Sequence, residues 1–330
     1  MPWEGVLLSR VRIRALMGAL LAIATLVMLW GRPGAALAAD PIFVNWAALL
    51  PSLTDAFDPN SANDCVAGRP KCVDITIREM ERRFASQGQA CDHNAIFSLA
   101  YLRTTQTYEW ARNQTGYFQD TPWVNHEDAV FAKYYFNAYD NWASGNRGPV
   151  SKAWLMAFDD AAARKLTGSG DLLMGMNAHV NRDLPFTLAA IGIVTPTGKT
   201  RKPDHDKVDQ FLNAVVQPLL LEEAARFDPT VNEIVTPYGV GYTGLFQLLA
   251  AWREDAWRNA ELLVDAPTSA DRAKVANTIE TQAANEATTL AASNSYVPPV
   301  TTTAARDAYC AVNNAVAPPM VYAFGTASTY

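Results

Sequence analysis

Between residues 74 and 293 apolar side chains recur at three- and four-residue spacing and almost never alternate, and this period restricts the chain to packed helices. The spacing predicts helices over 74–86, 95–113, 127–142, 152–166, 171–184, 207–227, 243–263 and 269–293. Two stretches that resemble strands, 190–194 and 235–240, are too short to found a sheet. The expected fold class is all-α, a single multi-helix domain over 39–330 with its core at about 90–293. No repeat or proline linker divides it. An irregular segment rich in Pro, Asn, Asp and Gly precedes the helices, and a Pro-, Thr- and Ala-rich tail over 294–330 follows them. Asn125 and Ser269 are the expected caps of two of the helices.

Three arginines, Arg10, Arg12 and Arg14, precede an apolar run over 15–30. Gly31, Arg32, Pro33 and Gly34 break that run, and Ala36-Leu37-Ala38 supplies small residues at cleavage spacing. The pattern predicts a signal peptide over 1–38 and an exported protein, secreted or held in the cell envelope. No later stretch reaches the roughly 20 apolar residues of a spanning helix, so no integral membrane segment is expected. Removing 1–38 makes the formal net charge three units more negative than −6, which disfavours nucleic acid as a partner. Export also puts Cys65, Cys72, Cys91 and Cys310 in an oxidising compartment, where four thiols most simply form two disulfides. Of three possible pairings we favour Cys65 with Cys72, around Gly68 and Pro70, and Cys91 with Cys310, which tethers the tail.

The candidate chemistry centres on Gly175-Met176-Asn177-Ala178-His179-Val180-Asn181-Arg182-Asp183-Leu184-Pro185. On an α-helix His179 and Asp183 fall on one apolar stripe, one turn apart. Buried there, they must pair with each other, hydrogen-bond a neighbouring helix end or grip a common metal ion. Asn177 and Asn181 form a second pair on another face and are candidate binding residues. Asp128 shares a stripe with Phe131, Tyr135, Tyr139 and Trp142. It serves either as a carboxylate favoured by the first helical turn or as a third ligand or base. His126 beside it reads as a surface loop residue. Asp204 and His205 open a later helix, where they cap it or complete a metal site with His179 and Asp183. Arg253 and Trp257 stand one turn apart, close enough to stack. The nucleophile elbow, dinucleotide fingerprint, phosphate-binding loop and HExxH zinc motif are all missing.

Together with the segments 128–136 and 252–257, the stretch around His179 resembles an uncharacterised bacterial family, domain of unknown function 5995. The resemblance covers about residues 90 to 263 and implies a helical fold. Its matching positions are Asp128, Asn177, His179, Asn181, Asp183, Asp204 and Arg253, whereas His205 and Asp209 depart from it. The His179-x-x-x-Asp183 spacing is also similar to part of the metal site of helical zinc phospholipases C. Here the chain lacks their N-terminal tryptophan and their larger set of histidines.

Two functions are therefore expected. The first is a hydrolase of esters or phosphoesters with a divalent metal, zinc foremost. In it His179, Asp183 and Asp128, joined by Asp204 or His205, are ligands, and Asp128 and Asp183 do the chemistry. The second is a non-catalytic secreted protein that binds a small apolar or lipid-like ligand beside Phe131, Tyr135, Tyr139 and Trp142, with Arg253 a further candidate contact.

Overall fold

Five of the described helices start at short polar side chains that satisfy the first free backbone N–H groups. A computed structural model describes residues 45–232 and 240–327; the expected signal peptide over 1–38 lies outside the described residues. Asp120 accepts from the Trp123 amide, Ser151 from Trp154, Thr167 from Gly170, Thr268 from Asp271 and Thr302 from Ala305. These caps open α4 (Thr121–Ala143), α5 (Lys152–Ala162), α6 (Gly168–Met176), α10 (Ser269–Ser293) and α11 (Thr303–Asn313). The other helices are α1 (Trp46–Leu49), α2 (Pro70–Gln89), α3 (Ala95–Arg112), α7 (Leu184–Ile191), α8 (Lys202–Arg226) and α9 (Val240–Asp265). The fold class is all-α, as expected.

A single apolar cluster runs through these helices. Helix α3 is buried nearly all round, packed by α2 on one side and α8 on another. Helix α2 brings Val73, Ile77, Met80 and Phe84 into the core, so the packed body begins before the boundary at residue 90. At Gly175 a side chain would meet the Phe97 ring at 2.4 Å, which is how closely α6 approaches α3.

Several boundaries differ from expectation. Helix α4 begins at Thr121, because Asp120 caps it and Pro122 suits its first turn. Asn125 is therefore no cap; it is buried and bridges Tyr108 Oη and the Gly68 carbonyl. His126, expected on a surface loop, is fully buried between the carbonyls of Cys65 and Asp55. Thr268, not Ser269, caps α10. Helix α5 stops at Ala162, and Arg164 turns the chain with φ 53°. The expected helix over 171–184 divides into α6, a π-helical segment Asn177–Asp183 and α7.

The tail carries α11 and a two-stranded hairpin, β1 (Met320–Tyr322) paired antiparallel with β2 (Gly325–Ala327). Disulfides join Cys65 to Cys72 and Cys91 to Cys310, as expected. Beside the second, buried Arg306 of α11 donates to Asp171 at 2.6 Å, so the tail is fixed by charge as well as by sulfur.

Candidate functional site

A cavity of about 140 Å³ lies between α3, α4, α6, the π-helical segment, α8 and α9. Val208, Phe211, Leu212, Val215, Val216 and Leu219 of α8 give it one apolar wall. Leu245 and Leu249 of α9 border it, and Phe97, Phe131, Leu172 and Val180 complete the apolar lining. Into this lining the fold places Tyr101, Glu127, Asp128, His179 and Arg253.

The π-helical segment fixes the histidine. Its wider turn sets His179 Nδ1 3.1 Å from Asp183 Oδ2, while Trp154 Nε1 donates to the same oxygen at 2.7 Å and Arg182 donates to Oδ1 at 2.8 Å. With Asp183 as acceptor, the neutral imidazole carries its proton on Nδ1 and leaves a lone pair on Nε2. Burial holds the His179 pKa below its ordinary value, with Asp183 opposing, so this neutral form prevails at pH 7. Phe131 stacks on the ring at 3.5 Å and Tyr101 meets it edge-on at 4.5 Å.

Four buried polar atoms on this cavity lack a hydrogen-bond partner among the described residues: His179 Nε2, Tyr101 Oη, Asp128 Oδ2 and Glu127 Oε2. Asp128 stands one turn before Phe131 on α4, well past the first turn, so the helix dipole does not account for it. Burial pushes its carboxyl up to about 8, assisted by Glu127 and Glu109 and opposed by Arg112. At neutral pH the carboxyl is protonated and a donor. Burial likewise drives the Tyr101 phenol far above its usual range.

The remaining candidates, Arg253 excepted, lie outside the cavity lining. Asp183 does not line the cavity; it sits behind His179 and orients it. Asp204 accepts the Gln119 and Asp120 amides at 2.7 and 2.8 Å and so ties the α8 start to the α4 cap. His205 packs on Trp257, with Nε2 3.1 Å from the Arg253 carbonyl. Arg253 reaches the cavity wall but is held by Asp209 at 2.8 Å and by the His205 carbonyl at 2.7 Å. Asn177 receives a bond from Asn181 at 2.9 Å and donates to Ala283 of α10, so that pair is a helix joint. Tyr135 and Tyr139 pack with Phe158 outside the cavity. Among the described residues no three His, Cys, Asp or Glu side chains stand close enough to hold one metal ion.

Three contributors went unread in the sequence, Tyr101, Glu127 and Trp154. The available signal was in α3, where polar residues such as Ser98, Tyr101 and Thr105 interrupt a stretch too apolar to face water.

No curated protein and no solved structure matches this chain. The family model of DUF5995, a family of unknown function, matches residues 73–293, about two thirds of the chain, and the protein belongs to that family.

Proposed function

We propose that the chain is an exported protein whose cavity binds a small, uncharged molecule with an apolar body and one hydroxyl or carbonyl group. The observation that carries this reading is the convergence, on an otherwise apolar space, of buried polar atoms without a partner among the described residues. Native proteins rarely leave such groups unsatisfied, and a ligand is one means of satisfying them. Neutral His179 and protonated Asp128 complement a polar but uncharged head. The volume, about 140 Å³, approaches that of an engineered apolar cavity of about 150 Å³ that accepts benzene. Two disulfides support the exported compartment.

The hydrolase expectation asks several metal ligands to converge, yet Asp204 and His205 are engaged elsewhere and Asp183 serves His179. These placements favour the binding expectation.

The test is thermal unfolding with benzene, phenol, benzyl alcohol and benzoate. Phenol or benzyl alcohol at 100 times its Kd should add about 2.7 kcal/mol, benzene should bind more weakly, and benzoate should not bind. Asp128→Leu should erase the preference for the hydroxyl. Equal stabilisation by benzoate, or none by any probe, would sink the reading.

A further inference from the structure

Beside Glu127 Oε2, the cavity lining holds one free imidazole nitrogen and two donors, and this division implies chemistry. His179 Nε2 carries the free lone pair, while Tyr101 Oη and the protonated carboxyl of Asp128 have protons to offer and no acceptor for them among the described residues. Tyr101 meets His179 edge-on at 4.5 Å, and Asp128 lies one turn from Phe131, whose ring covers the imidazole. All three border the same apolar space. The arrangement points to enolisation, and we propose that His179 removes a proton from the carbon next to the carbonyl of a small uncharged ketone while Tyr101 and Asp128 hold the carbonyl oxygen. This inference rests on the binding reading above and assigns the bound molecule a reaction.

The step balances without a co-reactant. The C–H bond breaks as an N–H bond forms at Nε2, and the carbon's electron pair moves into a new C=C bond while the carbonyl π pair goes to oxygen. Tyr101 and Asp128 donate hydrogen bonds to that developing oxyanion. The proton then returns from Nε2 to the same carbon, or to the far end of a conjugated system, which isomerises the double bond. A tyrosine paired with a neutral carboxyl in an apolar site is an established way to stabilise an enolate oxygen, sufficient for a weak base to work. Asp183 is a positioning residue here, because it fixes the tautomer without bordering the cavity.

The charged groups around Asp128 are Arg112 and Glu109 of α3 and Glu127 of α4. The π-helical segment contributes His179 and α9 contributes Arg253 to the same cavity, and the wall from α8 is apolar. Ionisation of Asp128 above about pH 8 removes one donor and places a negative charge beside the oxyanion. The reaction should therefore slow above that pH.

The experiment is hydrogen–deuterium exchange at the α-carbons of cyclohexanone in D₂O, followed by NMR with the full chain, with ligand saturation transfer read in the same samples. Exchange should exceed the buffer rate by about 10³-fold. His179→Gln should return it to the buffer rate while cyclohexanone still binds. Tyr101→Phe, which keeps the ring, should lower exchange by about 10²-fold. Asp128→Asn, which exchanges the carboxyl donor for a weaker N–H donor and cannot ionise, should lower the exchange below pH 8 and abolish its decline at high pH. Binding with exchange at the buffer rate would overturn the enolisation and leave the pocket intact. Absence of binding would overturn both, and exchange indifferent to His179→Gln and Tyr101→Phe would overturn the assigned residues.

Discussion

Phe131 lies flat on His179, ring centroids 3.5 Å apart and planes within 6° of parallel. The contact holds the imidazole from one face while Asp183 holds it from one edge, leaving Nε2 as the part of the ring available to a ligand. Phe131→Ala should cost about 3–5 kcal/mol by urea unfolding and should admit bulkier probes such as naphthol. A loss below 1 kcal/mol would mean the stack contributes little.

Asp128 gives the cavity a pH signature. Its carboxyl rises from 3.8 to about 8 on folding, so the native state binds more protons than the unfolded chain between those values. Its contribution to stability is fully present below 3.8 and is lost as pH rises through about 8. The slope is at most about 1.4 kcal/mol per pH unit. Asp171, raised to about 7 by burial, titrates in an overlapping window, so the informative quantity is wild type minus Asp128→Asn. Urea midpoints from pH 5 to 9 should show that difference narrowing and then reversing in favour of the variant. Parallel curves would contradict the assignment.

Asp183 accepts from Trp154, His179 and Arg182 with no exposure to water. Asp183→Asn leaves Arg182 one carboxylate, Glu280, and should destabilise by about 3–5 kcal/mol. Nitrogen shifts of His179 should then report a mixture of tautomers. A single tautomer with Nδ1 protonated would show that Asp183 does not fix it.

Gly175→Ala separates local propensity from packing. An isolated helix would gain about 1 kcal/mol from the change, but the new methyl would stand 2.4 Å from the Phe97 ring. We expect a net loss of about 1–3 kcal/mol and weaker phenol binding, because Phe97 lines the cavity. Net stabilisation would show that Phe97 moves aside freely.

Much of this was legible in the sequence because buried helices leave a strong period. Where expectation and structure part, a local geometry escapes that period. Counting 100° per residue placed His179 and Asp183 on one stripe, but it could not register the π-helical segment that shapes their contact. The start of α4 looked like a loop because Asp120-Thr121-Pro122 has turn composition, and that choice put Asn125 and Asp128 at a helix end. Asp204 was weighed as a cap or a ligand, and its bonds to Gln119 and Asp120 are long-range, so no spacing rule encodes them. The cavity is assembled from α3, α4, α6, α8, α9 and the π-helical segment, and periodicity says nothing about which faces meet.

The Cys91–Cys310 bond has a topological consequence. It closes the backbone into a covalent ring, and every residue bordering the cavity, from Phe97 to Arg253, lies within that ring. A single protease cut anywhere along it would linearise the loop without releasing a piece. Nicked molecules would keep all the cavity walls attached to one another and would come apart only under reduction.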